Sequence, residues 1–360
     1  MGKTAIDARM IEMSGIGTYI QHIINQGIYD VALGDADTIH KYNPNIKVIP
    51  FEAKIYSLSE QLKFPFKELK KNDVQLIHFP HYNVPFLYRG KYVVTVHDLI
   101  HIVYPQYLKN NIARIYAKLL MSHAIKGASH IFTVSEYSKK DIIKYFSVSE
   151  KKISITYNAV DNRFYHKVSN EVDYLREKYH IGKRKVLLYV GNLKPHKNLK
   201  ILLKAYQNLP EKEQYVVLLV GKAFDGVNLD EIVSGIKNNV IATGPVTSEE
   251  LIDLYNLADI FVFPSQYEGF GIPPLEAMAC GTPVICSNAS SLPEVVGNAA
   301  LTFAPDDAKA LVEKIEMMKD DALRENMIKK GYIRVNHFSW EKTVNTIKEY
   351  VNNQYVEETK

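Results

Sequence analysis

ADIFVFPSQYEGFGIPPLEAMACGTPVICSNASSLPE, residues 258–294, reads as a strand, a glycine-bearing turn, a helix and a second strand in quick succession. Ile260, Phe261, Val262 and Phe263 form a short apolar run of strand type, and Glu268-Gly269-Phe270-Gly271 follows it. Pro273 and Pro274 then stand just ahead of a helical run at 275–279. Proline fits the first turn of a helix, where its missing N–H costs nothing. The spacing therefore predicts a loop that aims free backbone N–H groups of a helix start at whatever lies above the strand end, a place suited to an anion. Glu268 lies before the loop and Glu276 is expected in the first helical turn. A carboxylate beside an anion site repels the anion itself, so both are expected to bind hydroxyl groups next to it. Phosphate plus hydroxyls points to a nucleotide sugar.

Outward from this stretch, strands are predicted at 185–190, 215–221, 239–243, 259–263, 283–286 and 299–303, with helices at 199–208 and 248–257 among them. Such alternation implies a mostly parallel, doubly wound sheet covered on both faces. Gly191-Asn192-Leu193-Lys194-Pro195-His196-Lys197-Asn198 joins the first two strands. A lysine between a strand end and a helix start adds positive charge to the helix dipole and suits a diphosphate. Lys197 taken alone would pass for a surface residue; its position in the same domain as the anion loop makes it a candidate ligand. Gly244-Pro245-Val246, after the third strand, borders the same region through backbone groups.

The N-terminal part alternates in the same way, with strands predicted at 4–8, 46–51, 74–79, 92–96, 131–134 and 153–157 and helices at 110–126 and 138–146. Ser14-Gly15-Ile16-Gly17-Thr18-Tyr19 reads as a glycine loop leading into a helical run at 20–24. It is not the dinucleotide fingerprint, which requires a third small residue where Ile20 stands. Two readings of Gly15 and Gly17 stay open: a tight turn, or close approach of backbone to a ligand. His97-Asp98 directly follow a strand, and ligands of parallel sheets bind at the carboxyl ends of strands, which singles out His97 although an isolated histidine is more often structural. The chain thus divides into an N-terminal domain (1–160), a connection without periodicity (161–182) and a C-terminal domain (183–338). A last helix at 339–356 carries Trp340, Val344, Ile347 and Val351 on one face, as a docked helix does.

With 360 residues, 46% hydrophobic and 23% charged, the chain can bury two cores without covalent staples. The two cysteines, Cys280 and Cys286, are too few for a disulfide framework and read as reduced core residues. The N-terminus lacks a continuous apolar segment of signal type and no apolar run approaches spanning length, so the expected location is cytoplasmic. Residues 1–160 carry 20 Lys and Arg against 13 Asp and Glu, while 161–360 carry 24 against 27. This asymmetry is either ordinary surface variation or a basic half facing anionic lipid or a phosphate-bearing acceptor. The helix at 110–126, with Arg114, Lys118 and Lys126 among Ile112, Ile115, Tyr116, Leu119 and Leu120, is either a membrane-surface helix or a core-packed one. No motif calls for nucleic acid or a metal.

In order along the chain, Gly15-Ile16-Gly17, His97-Asp98, the segment 191–198, Gly244-Pro245 and the pair Glu268/Glu276 within EGFGIPPLEAMACGTPVI resemble the GT-B glycosyltransferases of glycosyltransferase family 4. The carboxylate pair is the specific feature. The resemblance implies two Rossmann-like domains facing across a cleft, with the acceptor on the N-terminal side, the nucleotide sugar mainly on the C-terminal side, and the last helix returning to the N-terminal domain. Carried over by position, Glu276 would bind the ribose hydroxyls and Glu268 those of the donor sugar. The Gly269, Phe270 and Gly271 backbone would face the sugar, and Asn192 and Val246 would border the donor. Lys197 would neutralise the diphosphate with help from the Gly15 and Gly17 backbone, and His97 would sit near the anomeric carbon. Many relatives carry arginine where this chain has Asn192 and His196, so the positive clamp is expected to be weaker or completed by Lys194 or by a protonated histidine.

The resemblance further implies transfer with retention of configuration, no bound metal and no cofactor, the nucleotide sugar being a substrate. The context HDLIH around His97 is similar to bacterial mannosyltransferases of surface polysaccharides, which tilts the donor toward GDP-mannose over UDP-sugars and the acceptor toward a saccharide or lipid-linked saccharide at a membrane's inner face. A nucleotide-sugar epimerase of the same fold and a noncatalytic nucleotide-sugar-binding protein are the alternatives.

Overall fold

The computed structural model describes residues 2–108, 110–168, 171–222 and 237–356. The described chain forms two compact units, one of residues 1–158 with 339–360 and the other of residues 159–338. Each is a wholly parallel sheet with helices between most of its successive strands.

In the first unit seven strands lie in the order β3-β2-β1-β4-β5-β6-β7. They are β1 (Lys3–Asp7), β2 (Val31–Gly34), β3 (Lys47–Pro50), β4 (Val74–Phe79), β5 (Lys91–Val96), β6 (His130–Thr133) and β7 (Ile153–Ile155). The helices are α1 (Ser14–Ile24), α2 (Ala36–His40), α3 (Leu58–Leu62), α4 (Phe66–Lys71), α5 (Ile100–Val103), α6 (Asn111–Gly127) and α7 (Glu136–Phe146). The second sheet runs β10-β9-β8-β11-β12-β13, built from β8 (Lys185–Val190), β9 (Tyr215–Val220), β10 (Val240–Gly244), β11 (Ile260–Phe263), β12 (Val284–Ser287) and β13 (Ala300–Phe303). Its helices are α8 (Tyr174–Lys178), α9 (Leu199–Gln207), α10 (Ser248–Leu257), α11 (Ile272–Ala279), α12 (Leu292–Val296), α13 (Ala308–Met317) and α14 (Asp321–Val335). A final helix, α15 (Trp340–Val356), packs on α1 and β7 of the first unit.

The central strands are buried on both faces, which is why they read as continuous apolar runs. Helix starts follow from side-chain caps. Asn110 accepts from the Ala113 amide at 2.8 Å, Ser135 from Ser138 at 3.0 Å, Thr247 from Glu250 at 3.2 Å and Asp320 from Leu323 at 3.0 Å. β2 was not foreseen. Its four residues, Val-Ala-Leu-Gly, are all buried and show no alternation, so nothing in their pattern separates a strand from a core loop.

Three other expectations change. Helix α1 begins at Ser14, so Gly15 and Gly17 lie inside its first turn rather than in a loop before it. Helix α11 begins at Ile272, so Pro273 and Pro274 are its second and third residues. Glu276 accordingly stands in the second turn, fifth from the start.

The segment 161–182, read as a connection, packs within the second unit; its residues 169 and 170 lie outside the described residues. Val172, Leu175 and Ile181 are buried. Polar contacts tie the segment to α10: the Lys167 ammonium reaches Asp253 at 2.6 Å, and the hydroxyls of Tyr174 and Tyr179 donate to Asp253 at 2.8 Å and Glu250 at 2.5 Å. Aperiodic sequence thus need not be loose; here the order comes from partners some 70 to 90 positions away.

The returning helix buries Val344, Ile347 and Val351 as its periodicity requires, while the Trp340 indole stacks on His22 of α1 with ring centroids 4.1 Å apart. Cys280 and Cys286 are both buried free thiols, and burial pushes each up to about 12. Among the described residues no helix is long and apolar enough to cross a membrane.

Candidate active site

Strand order decides where ligands gather in an open parallel sheet, because the crevice opens where successive connections leave in opposite directions. In the second unit that point lies between β8 and β11, which pair directly through Leu187 and Leu188 with Ile260 and Phe261. The segment after β8 and the loop after β11 are therefore neighbours. Lys197 donates to Glu268 Oε1 at 2.7 Å across 71 residues of sequence, and its ammonium also lies 5.2 Å from the centre of the Phe263 ring. Both side chains of the pair are largely buried.

The surrounding backbone holds this pair in place. Asn198, left-handed with φ 58°, donates its amide to the carbonyls of Pro264 at 3.1 Å and Pro305 at 2.7 Å. The Gln266 amide donates to the His196 carbonyl at 2.8 Å. On the far side of the turn, the Glu268 amide donates to Ser290 Oγ at 2.8 Å, and the Ser291 hydroxyl reaches the carbonyls of Glu268 and Phe270 at 2.9 and 2.8 Å. Sequence reading missed Asn198, Ser290 and Ser291, although two of them lie inside the stretch quoted first. Gly271 caps α11 at φ 101°, and a Cβ there would meet Leu292 at 2.6 Å, so only glycine fits.

The helix start after Gly271 is a weaker anion site than its sequence suggests: with prolines as the second and third residues of α11, two of the four N–H groups that a helix start leaves without an intrahelical partner are missing.

Glu276 is half-buried and accepts the Tyr255 hydroxyl on Oε2 at 2.7 Å. Burial pushes its carboxyl up to about 7; the hydrogen bond from Tyr255 opposes the shift and the negative Asp161 adds to it. Asn192 is exposed, and its carbonyl accepts the Tyr189 hydroxyl at 3.4 Å and the Lys194 amide at 2.8 Å. Val246 stands half-buried in the turn between β10 and α10.

In the first unit the switch lies between β1 and β4. Helix α1 follows β1, and His97 follows β5, which pairs with β4. His97 is half-buried, packs edge-on to Tyr19 at 5.1 Å and donates from Nε2 to the Pro80 carbonyl at 2.9 Å. Because a carbonyl only accepts, the proton sits on Nε2 and leaves Nδ1 as the acceptor nitrogen of the neutral ring. Burial holds its pKa down to about 4, so the ring is neutral at pH 7. The Tyr19 hydroxyl is fixed in turn by Thr156 at 3.0 Å, within a buried chain that continues through Thr95 to His78, held down to about 3 by burial.

Gly17 and Gly15 differ. A Cβ on Gly17 would sit 2.5 Å from the Ile11 carbonyl oxygen, whereas one on Gly15 would meet nothing within 4 Å. The first is required by packing, and the second has open space beside it. Gly17→Ala is expected to destabilise by about 1–3 kcal/mol, and Gly15→Ala to leave chemical denaturation unchanged. A weaker donor affinity in Gly15→Ala at wild-type stability would mark a ligand contact; equal stability losses in both variants would defeat the distinction.

Next to this point lies a buried ionic cluster that sequence reading did not find. Arg9, two residues beyond β1, pairs with Asp7 at 2.6 Å and Glu60 at 2.8 Å, and its guanidinium rests 4.1 Å from the Phe51 ring centre. Glu60 also accepts from Asn83 at 3.2 Å, and Asn83 bonds His81. Among the described residues no group of three or more His, Cys, Asp or Glu is placed to hold a metal ion.

Comparison with known proteins agrees with this architecture. The family described as Glycosyltransferase Family 4 matches residues 30–164, and that described as Glycosyl transferases group 1 matches 172–334. O-antigen chain mannosyltransferase B of Escherichia coli is 36% identical over 76% of this chain and 74% of its own length. O-antigen chain mannosyltransferase RfbU of Salmonella typhimurium is 32% identical over 72% and 69%. Among solved structures, Anabaena HepE in complex with UDP and glucose superposes with a TM-score of 0.80 at 20% identity, over 98% of this chain and 100% of the other. Two family matches, one ending at 164 and the next beginning at 172, a short way past the unit boundary at 158/159, and relatives this similar over most of their length leave one conclusion: the chain belongs to the family 4, group 1 glycosyltransferases, with the GT-B fold.

Proposed function

We propose that this glycosyltransferase moves a mannosyl residue from GDP-mannose, with retention of configuration, onto a saccharide or lipid-linked saccharide during surface-polysaccharide synthesis. The observation that carries the reading is the Lys197–Glu268 pair, held at the β8/β11 switch beside the amides of Gly269, Phe270 and Gly271. An ammonium has three donors, so Lys197 can keep Glu268 and still take a phosphate oxygen. Charge that builds on a departing diphosphate then meets a fixed cation and fixed N–H dipoles, which lowers the barrier to departure. Glu268 recognises sugar hydroxyls, Glu276 the ribose hydroxyls, and the backbone near Asn192 and Val246 borders the donor. His97, neutral with its proton on Nε2, offers Nδ1 to a hydroxyl near the reacting carbon, and the Gly15 backbone, which has open space beside it, approaches the diphosphate. The acceptor attacks the face the phosphate leaves, and the leaving phosphate takes the acceptor's proton; the new glycosidic bond forms as the bond to phosphate breaks.

GDP-mannose is favoured because the similar enzymes of Escherichia coli and Salmonella are named as O-antigen mannosyltransferases. UDP-sugars are the second reading, since the structurally similar HepE was solved with UDP and glucose. A thermal-shift series of nucleotide sugars separates them: GDP-mannose should give the largest rise in Tm, and a larger rise with a UDP-sugar would reverse the assignment. Incubation with donor alone, followed by NMR, should leave the sugar unchanged; its epimerisation would mean an epimerase. Activity is expected to survive EDTA.

Glu276 provides a pH test. Its folded-state carboxyl is raised from 4.5 to about 7, so the stability it contributes is present below its ordinary range and lost as pH rises through about 7. Ribose hydroxyls bind the carboxylate form, so donor affinity should increase from about pH 6 to about pH 8 with release of a proton, as seen by calorimetry in buffers of different ionisation enthalpy. Glu276→Gln should weaken donor binding and flatten that dependence. Unchanged affinity in the variant would remove the ribose assignment.

A further inference from the structure

The hydrogen bond from His97 Nε2 to the Pro80 carbonyl fixes one atom of the imidazole and leaves the ring able to tilt about that bond. Tyr19 of α1 supplies the missing constraint. Its ring stands at 89° to the imidazole with centroids 5.1 Å apart. Edge-to-face is an arrangement that aromatic quadrupoles prefer, so a tilt of the imidazole loses this attraction together with packing.

Tyr19 is wholly buried and is itself supported twice. The first support is a hydrogen-bond chain whose direction follows from its end. The Thr133 carbonyl only accepts, so the Thr156 hydroxyl donates to it at 3.4 Å and accepts the Tyr19 hydroxyl at 3.0 Å. Tyr19 then accepts from Thr95 at 3.5 Å, Thr95 from His78 Nε2 at 2.7 Å, and His78 Nδ1 from the Tyr29 hydroxyl. Every member of the chain is buried, so each proton is committed to one acceptor and the ring of Tyr19 is locked to the sheet.

The second support comes from the returning helix. Trp340, the first residue of α15, lies against Tyr19 at 6.1 Å and 67°, and stacks on His22 at 4.1 Å and 10°. Among the described residues its indole N–H is buried without a hydrogen-bond partner, a cost that buried tryptophans usually avoid. The helix has other means of docking: Val344, Ile347 and Val351 are buried, and the Thr343 hydroxyl donates to the Tyr157 carbonyl. Docking alone would be served by an aliphatic residue at 340, which strands no donor. The indole needs another reason, and the ring it meets is the one that holds His97.

We propose that Tyr19 and Trp340 are positioning residues that fix the plane of the His97 ring, so that the returning helix serves the reaction as well as the fold. This rests on the role given to His97 above. Ring order is read by NMR without donor or acceptor, and turnover by kinetics, so the two can fail separately.

The test uses the full chain with isotope-labelled histidine. Wild-type His97 should show a single tautomer with Nε2 protonated and Nδ1 bare. Tyr19→Leu should broaden or average that signal and lower kcat by about ten- to a hundredfold, while KM for the donor stays within about twofold. Turnover is followed as release of GDP from GDP-mannose, or of UDP from UDP-glucose if the thermal-shift series selects it. Tyr19→Phe keeps the ring and loses only its hydroxyl anchor, so it should recover most of the rate. Trp340→Leu, at a half-buried position, should act in the same direction more mildly, and Trp340→Phe should restore both readouts. Val351→Ala, at the far end of the same helix, should lower Tm and leave kcat and the His97 signal unchanged. Should Tyr19→Leu not fold, the Trp340 pair decides alone. Leucine variants that keep the wild-type His97 signal would overturn the proposal, as would a Val351→Ala that matches Trp340→Leu in kcat. A disordered ring with wild-type kcat would take His97 out of the reaction, and the proposal with it.

Discussion

Lys197→Ala is expected to lower kcat by about 10²–10³-fold, the range typical for removing one preorganised group that stabilises charge in a transition state. The substitution acts twice. It removes the cation assigned to the departing diphosphate, and it leaves the largely buried Glu268 without its 2.7 Å partner. Lys197→Arg separates the two effects, because it keeps a charge but offers a planar fork in place of a compact ammonium. It should recover part of the rate. Glu268→Gln keeps the shape of the turn and frees the lysine, so it should weaken selectivity among donor sugars more than affinity for the free nucleotide diphosphate. A Lys197→Ala enzyme with more than half of wild-type turnover and an unshifted Tm would leave the pair without a role in transfer.

Arg9→Ala should destabilise the first unit by about 3–5 kcal/mol, because it strands Asp7 and Glu60 as buried charges. The Arg9 guanidinium is almost wholly buried, and so is Glu60. Burial works against the charge on Arg9, yet its two acidic neighbours more than offset it and raise its pKa. For Glu60, burial wins over the attraction to Arg9, and its pKa is raised. The double change Arg9→Met/Glu60→Gln removes charge from both partners and should recover much of the loss. Denaturant titration followed by tyrosine fluorescence and circular dichroism would read both. A loss below about 1 kcal/mol in Arg9→Ala would mean that water or rearrangement relieves the cluster.

How far the sequence reveals such features depends on the distance over which each is specified. Strands β1, β4, β5, β8, β9 and β11 were legible because a strand buried on both faces is written locally as an apolar run. β2 was not, since four small or apolar residues ending in glycine fit several local structures. The helix starts at Ser14 and Ile272 were placed late for a related reason. Gly15 and Gly17 read as a loop before the helical run, whereas Gly17 lies in the first turn against the Ile11 carbonyl; at the other start the fit of proline to a first turn holds, and only the boundary moves back from 275 to Ile272. Helix α6 is open to two readings from its composition, and packing buries Leu120, Met121, Ala124 and Ile125 while Ile112, Ile115 and Leu119 stay exposed.

By itself the sequence determined two doubly wound α/β units, a docked C-terminal helix and the residues that mark the family, because strand and helix periods and turn chemistry are set by neighbours along the chain. Only the tertiary structure decided that Lys197 meets Glu268, that Tyr255 faces Glu276 and that His97 is neutral with its proton on Nε2. It alone also showed that Asp7, Arg9, Glu60, Asn83 and His81 form one buried network. Each of these depends on strand order and on desolvation, and both bring together groups that the sequence lists far apart.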